Sequence, residues 1–79
     1  MSVFDQVKNI IVKKIGVLPE NVTMKSSMTG DLGCDDLDVA ELIMAIEQEL
    51  DIRIPDEYSE NFKTVKDIVD YINKTKGEH

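Results

Sequence analysis

The side chains that could perform chemistry cluster in the middle of this sequence, around its only cysteine. Cys34 follows Gly33 and precedes two aspartates. The thiolate is the reactive form of cysteine, and adjacent carboxylates raise the pKa of a thiol, so we expect Cys34 to be an unreactive small residue. The only histidine, His79, lies far from this cluster in sequence. Because no nucleophile, base and orienting group occur together, an enzyme is the least favoured class of function.

The acids around the cysteine loosely resemble a calcium-binding loop. Asp31, Gly33 and Asp35 alternate as ligands do in an EF-hand. The twelfth position of such a loop, counted from Asp31, is Leu42 instead of the bidentate glutamate. We therefore reject an EF-hand and expect no specific metal site, while loose binding of divalent cations by the acidic cluster stays open.

The acidic cluster is part of a longer stretch of one-signed charge. Between Ser26 and Ile52 there is no Lys or Arg. The acids in this stretch are Asp31, Asp35, Asp36, Asp38, Glu41, Glu47, Glu49 and Asp51. A charge run is usually a solvated face, but the Glu–Lys pairs that stabilise a solvated helix are missing here. The pattern therefore predicts a negative helix that docks on Lys/Arg patches of partner proteins.

The composition narrows the classes of partner and compartment. The chain has 79 residues and a formal net charge of −7, which disfavours nucleic acid and anionic membranes and suits a basic protein partner. One cysteine permits no intrachain disulfide, and neither a signal peptide nor a long apolar run is apparent. We expect a monomeric cytoplasmic protein without membrane insertion, forming one domain over residues 1–79.

Two long helices must position this acidic stretch. Apolar residues recur at helical spacing from about Val3 to Ile15, where Ser2 can cap the start and Gly16 can end the helix. A second helix should run from near Asp36 to near Leu50. Its predicted core stripe is Val39, Leu42, Ile43, Ile46 and Leu50. Because Trp is absent and aromatic residues make up 5% of the chain, the core should be aliphatic.

The remaining chain is predicted to contain a long loop, a short helix and a last helix. Turn formers dominate from Pro19 to Cys34, and the apolar residues expected to pin this loop to the core are Val22, Met24, Met28 and Leu32. A helical turn is expected from Asp56 to Phe62, with Tyr58 and Phe62 facing inward. Thr64, with Asp67 in capping-box spacing, should cap a helix that ends near Asn73, before a disordered tail over residues 74–79. The predicted fold class is all-α: a small four-helix bundle, with three main helices plus one short helix and a long loop between the first two.

The second helix carries apolar residues beyond its core stripe. Leu37, Ala40 and Met44 form a second line, offset from the first and bordered by acids. Met adapts to varied partners, which favours a docking surface. Peripheral core explains the same spacing equally well, and periodicity alone leaves both interpretations open.

One run of sequence carries a family resemblance. Residues 31–44 read DLGCDDLDVAELIM, which resembles the signature DLGxDSLDxVELxM of bacterial acyl carrier proteins. The resemblance extends over nearly the whole chain, through residues 54–57 (IPDE) to residues 64–67 (TVKD).

The resemblance implies a helical bundle that carries acyl chains in fatty acid synthesis on 4'-phosphopantetheine. The second helix would be the family's recognition helix. The partners implied are fatty acid synthesis enzymes and a phosphopantetheinyl transferase, each with a basic docking patch. The residues expected to contact them are Asp35, Leu37, Asp38, Glu41, Met44 and Glu47.

The run departs from the family pattern at one critical position. Asp36 stands where the family has the serine that bears 4'-phosphopantetheine. That link is a phosphodiester, which needs an alcohol oxygen, so no covalent arm is expected on this form, which should stay apo-like. Asp36, or alternatively Asp35, is expected to cap the second helix. Asp36 would also place a negative charge where the holo protein has its phosphodiester.

Two pairs of alternatives follow from Asp36. An engineered block of modification and a natural paralogue that lost the arm both explain it, and the typical residues around it favour the engineered origin. The function is either that of an arm-deficient carrier or that of a regulatory module that only docks. The sequence indicates neither the length of the acyl chain nor whether an apolar pocket for it opens between the helices.

Overall fold

Four α-helices and one 3-10 turn form the regular structure of the chain, which the computed structural model describes for residues 2–76. In chain order these elements are α1 (Val3–Ile15), the 3-10 turn (Pro19–Asn21), α2 (Asp36–Leu50), α3 (Asp56–Ser59) and α4 (Val65–Lys76). Within those residues no strand forms, and a single antiparallel bridge pairs Ser27 with Thr64. The predicted all-α fold class is confirmed. None of the described helices is long and apolar enough to cross a bilayer.

Helix α1 has the predicted bounds because both of its ends are fixed by local interactions. The Ser2 hydroxyl accepts a hydrogen bond from the backbone N–H of Asp5 (3.1 Å), one of the free donors of the first turn. At the other end Gly16 adopts φ +85°, and its N–H donates to the Val12 carbonyl (3.0 Å). Glycine enters this left-handed conformation without steric cost, so the helix ends at Ile15.

The connection between α1 and α2 is more ordered than the long loop predicted from its turn formers. The 3-10 turn Pro19–Asn21 begins with a proline, which suits a first helical position. After it, the buried Ser26 donates its hydroxyl proton to the Asn21 carbonyl (2.9 Å) and accepts from the N–H of Thr23 (2.9 Å). The predicted pinning residues are confirmed: Val22, Met28 and Leu32 are buried, and Met24 is half-buried.

Backbone hydrogen bonds join this connection to the start of α4. The N–H of Met28 donates to the Lys63 carbonyl (2.9 Å), and the N–H of Val65 donates to the Ser26 carbonyl (3.0 Å). These bonds satisfy backbone groups that would otherwise be buried without partners. They hold the connection against α4 instead of leaving it free in solvent.

Helix α3 is shorter than predicted and ends at Ser59 instead of Phe62. Its N-cap, Pro55, makes no side-chain cap hydrogen bond. The inward orientation predicted for Tyr58 is wrong, because this residue is 45% exposed and its ring lies against Tyr71, with centroids 5.0 Å apart. Phe62, which follows the helix, is half-buried against the core.

Helix α4 begins with the predicted capping box. The N–H of Asp67 donates to Thr64 Oγ1 (3.4 Å), and the N–H of Thr64 donates to the Asp67 carboxylate (3.1 Å). The N–H of Lys63 also donates to that carboxylate (2.8 Å). These donors lower the pKa of Asp67, with the Lys63 hydrogen bond as the largest cause.

The end of α4 differs from the prediction. The helix continues to Lys76, so its predicted end at Asn73 and the predicted disorder of residues 74–76 are wrong. No glycine or proline interrupts the sequence before Gly77, and Lys74 is favourable near the negative end of a helix dipole. The rest of the predicted tail, residues 77–79, lies outside the described residues.

The core is aliphatic, as predicted. Helix α1 packs against both α2 and α4. The buried apolar residues are Val7, Ile10, Ile11, Val22, Met28, Leu32, Cys34, Leu42, Ile43, Ile46, Ile54, Val65, Ile68, Val69 and Ile72. Of the stripe predicted on α2, Val39 and Leu50 are only half-buried at the margin of the core.

Asp51 ends α2 in the left-handed conformation, which is unfavourable for residues other than glycine. Its replacement by glycine should therefore stabilise the protein. Asp51 has φ +55°, and its carboxylate lies at the negative end of the helix dipole. Asp51→Gly should raise the free energy of unfolding by about 0.5–1 kcal/mol in urea denaturation. Asp51→Ala, which removes the charge but keeps a Cβ, should gain less or lose stability. Equal gains for both variants would contradict the backbone argument.

Asp67 should make the stability of the chain depend on pH in the acid range. Because its folded pKa is lowered, its contribution is complete above the pKa of the unfolded chain, about 3.9, and is lost as the pH falls through the folded pKa. Asp67→Asn should therefore be less stable than the unmutated protein near neutral pH, with a difference that shrinks in acid. Urea unfolding at a series of pH values measures this. A difference that grows in acid would contradict it.

Candidate functional site

The outer face of α2 presents large apolar side chains to solvent. Leu37 is 65% exposed and Met44 is 55% exposed, and Ala40 between them is also exposed. Leu42 and Ile46, on the opposite face, are completely buried. The peripheral-core interpretation of the second apolar line is therefore wrong. Large apolar residues exposed on one helix face are typical of docking surfaces.

Acids surround these apolar residues. We call this surface the α2 ridge; it comprises Asp35, Asp36, Leu37, Asp38, Ala40, Glu41 and Met44. Each ionisable side chain of the ridge is acidic. Within residues 2–76 the only salt bridge joins Lys66 to Asp70 on α4, so no Lys or Arg in this part of the chain forms an ion pair with a ridge acid. A basic surface is the complement that would relieve its repulsion.

The start of α2 is fixed by two aspartates that cap each other. The Asp35 carboxylate accepts from the N–H of Asp38 (2.8 Å), and the Asp38 carboxylate accepts from the N–H of Asp35 (3.3 Å). This is a capping box built from carboxylates, which also suit the positive end of the helix dipole. Asp35 is the N-cap, so the capping role expected of Asp36 is wrong, and the alternative, Asp35, is confirmed.

Glu47, further along α2, bonds to a distant segment of the chain, whereas Asp35 and Asp38 cap their own helix. One of its carboxylate oxygens accepts a hydrogen bond from the backbone N–H of Ile54 (2.7 Å), and the side chain is half-buried. Hydrogen bonds to charged groups are stronger than neutral ones, so this contact holds the segment after α2 against the helix. The role of Glu47 as a partner contact stays a prediction.

Two open depressions adjoin α2, and they share Ala40, Ile43 and Ser59 at their border. The N-terminal groove has a volume of about 750 Å³ and is lined by residues that include Met28, Asp36, Val39, Phe62 and Lys63. The C-terminal groove has a volume of about 600 Å³ and is lined by residues that include Met44, Glu47, Ile52, Arg53, Ile54 and Pro55. The sequence did not predict either groove, because each is lined by residues from several separate segments.

The residue at position 36 does not fit a phosphodiester-linked prosthetic group. Asp36 is the first residue of α2, is exposed, and its carboxylate accepts no hydrogen bond from the described part of the chain. The position is open enough for a large substituent, but it offers no alcohol oxygen. Ser27 and Ser59 line the grooves beside it. Their hydroxyls take part in local bonds, to the Asp31 N–H (2.9 Å) and the Asp56 carbonyl (3.1 Å) respectively.

Cys34 offers no reactive substitute. Its side chain is only 3% exposed, and its backbone N–H donates to the Met28 carbonyl (2.9 Å). Burial raises the pKa of the thiol, and the charges of Asp38 and Asp35 raise it further. The raised pKa predicted from the neighbouring acids is confirmed, although its largest cause, burial, could not be inferred from them.

The acids in the described part of the chain form no cluster suited to a metal ion. No group of three or more His, Cys, Asp or Glu side chains within residues 2–76 is placed to hold a metal ion.

Comparison with known proteins indicates a family. A family model described as "Phosphopantetheine attachment site" matches residues 5–72. The acyl carrier protein of Clostridium perfringens is 52% identical over 71 residues, which is 90% of this chain and 93% of the relative. The acyl carrier protein of Bdellovibrio bacteriovorus is 47% identical over 78 residues, 99% of both chains. That of Campylobacter fetus is 43% identical over 76 residues, 96% of this chain and 99% of the relative.

Repulsion within the ridge should make the stability of the chain depend on salt. Raising NaCl from about 20 mM to about 500 mM shortens the Debye length from roughly 20 Å to a few ångströms, so the melting temperature should rise. Glu41→Gln, which removes one exposed ridge charge, should flatten this dependence more than Glu20→Gln on the 3-10 turn. Thermal denaturation followed by circular dichroism measures both. A melting temperature that does not respond to salt would contradict the repulsion argument.

Proposed function

Since the chain belongs to the acyl carrier protein family, whose members are carriers and not enzymes, we propose that it docks on enzymes of fatty acid synthesis while remaining unmodified at position 36. Carrying acyl chains in fatty acid biosynthesis is the usual role of this family. The α2 ridge would serve as its recognition surface. The observation that carries the proposal is the exposure of Leu37 and Met44 among acids that have no cationic partner in the described chain.

The ridge supports recognition in two complementary ways. Its uncompensated acids attract a basic patch from a distance and speed encounter. Leu37 and Met44 then offer apolar area that becomes buried on contact, at about 25 cal/mol per Å² of apolar surface removed from water. Asp35 and Asp38 are preorganised because each already accepts a backbone hydrogen bond, so docking does not have to order them.

The absence of an alcohol at position 36 supports the apo-like state. A carboxylate is a weak nucleophile, and a phosphoryl group attached to it would form a mixed anhydride that water hydrolyses. A phosphopantetheinyl transferase would therefore meet a familiar docking surface without an acceptor oxygen. In this form the family's prosthetic group has no point of covalent attachment, and no acyl chain would be held as a thioester.

A second function is favoured by the same residue. A domain that keeps the docking ridge but lacks the arm occupies partner enzymes without delivering substrate. Such a domain would be a regulatory or docking module, not a carrier. The two functions differ in whether the scaffold still accepts the arm when a serine is supplied.

The test is a mass measurement after incubation with coenzyme A and a phosphopantetheinyl transferase. Asp36→Ser should gain the mass of one 4'-phosphopantetheine, whereas the unmutated chain and Asp36→Asn should not. The asparagine variant is the matched control, because it removes the charge without adding an alcohol. A gain by the unmutated chain would show the apo-like state to be wrong. If Asp36→Ser stays unmodified while an established carrier is modified, the scaffold is a docking module.

A further inference from the structure

A single cationic residue lies in the acidic stretch of the sequence that contains the α2 ridge. Arg53 is the only Lys or Arg from Ser26 to Phe62, a span that holds the whole α2 ridge. Its side chain is exposed and lines the C-terminal groove beside the exposed Met44. It therefore lies next to the surface that, under the proposed function, meets a basic partner. A guanidinium facing a uniformly basic patch would be repelled.

Arg53 does not serve to neutralise its neighbours. Glu47 and Asp56 line the same groove, yet the guanidinium forms no ion pair or hydrogen bond with any residue that the structure describes. Glu47 instead accepts from the backbone N–H of Ile54. The guanidinium is therefore not occupied by a partner within the described chain and is available to pair with a group on another protein.

The backbone that carries Arg53 is held from two sides. The hydroxyl of Tyr71, on α4, donates to the Arg53 carbonyl (3.1 Å). The next residue, Ile54, is buried, and its N–H donates to the Glu47 carboxylate (2.7 Å). These bonds tie the segment to both α4 and α2. The backbone from which the Arg53 side chain extends is thereby held in place, which lowers part of the entropic cost of using this residue in a contact.

Resting on the proposed function, we propose that Arg53 is a specificity determinant: it selects partners whose basic docking patch is bordered by a carboxylate that reaches the C-terminal groove. The guanidinium pairs with a carboxylate through two parallel hydrogen bonds, and Arg is enriched at the energetically dominant positions of interfaces. The docking surface therefore has three parts: acids at the start of α2, an apolar centre at Leu37 and Met44, and one cation at the far end. A partner with basic residues throughout would match the acids but not Arg53.

The test is a double-mutant cycle with peptides of defined charge. The probes are basic amphipathic helical peptides with one leucine anchor, in which a single glutamate is moved along the polar face. Each has a twin with glutamine at that position. Affinities for the unmutated chain, Arg53→Gln and the control Lys14→Gln are measured by fluorescence anisotropy at low salt. Lys14 is exposed on α1, so its loss changes the net charge equally. Circular dichroism checks that each variant is folded.

The expected result is a coupling confined to Arg53. For at least one glutamate position, Arg53→Gln should weaken binding of the glutamate peptide by roughly three- to tenfold more than binding of its glutamine twin. Lys14→Gln should change both peptides by the same factor. If no position couples to Arg53 more strongly than to Lys14, the role of Arg53 is overturned.

Ridge variants separate this failure from that of the proposed function. Leu37→Ala and Glu41→Gln should weaken every peptide in the series, whether it carries glutamate or glutamine. If they do so and Arg53 shows no coupling, the docking ridge stands and only the specificity role fails. If the peptides do not bind, or bind regardless of Leu37 and Glu41, both proposals fail.

Discussion

The reciprocal cap between Asp35 and Asp38 is the constraint on which the α2 ridge depends. It fixes the residue at which α2 begins, and the helical period then decides which side chains face the core. From that start, Leu42 and Ile46 turn inward while Leu37 and Met44 turn outward. A start displaced by one residue would rotate the helix by about 100° relative to the same core contacts. The two aspartates therefore define the ridge as much as they belong to it.

A second set of polar contacts holds what lies beyond the helix. Glu47 reaches from α2 to the N–H of Ile54, and Tyr71 reaches from α4 to the Arg53 carbonyl. The segment between α2 and α3 contains no helix of its own, and α3, which follows it after Pro55, is a single turn. Its placement comes from these side-chain contacts and from the burial of Ile54. The C-terminal groove is thus a product of tertiary contacts, while the ridge is a product of local ones.

This division explains what could be predicted from the sequence. The bounds of α1 and α2 were predicted from the spacing of apolar residues. For α1, the caps at Ser2 and Gly16 added to this signal. The predicted bounds of both helices are confirmed. Periodicity left open whether Met44 is exposed or peripheral core, and it gave no sign of the bond to Glu47, because both depend on where distant segments pack. The same limit explains the error at Tyr58, whose apolar ring suggested burial but which lies on Tyr71 at the surface. Periodicity assigns a residue to a face, and packing decides whether that face is covered.

The residue at position 36 decides whether a prosthetic group can be attached, but it has little influence on how α2 folds. Because Asp35 provides the cap, the side chain of residue 36 has no structural task, and the first helical position accepts serine or aspartate. An acid there gains from the helix dipole, about 0.3–1 kcal/mol, and repulsion from Asp35 and Asp38 offsets part of this gain. The net effect on folding is small, whereas the effect on chemistry is complete, since only the alcohol can form the phosphodiester. In this fold, one side chain at position 36 can therefore remove the attachment point while the cap and the other side chains of the ridge keep their positions.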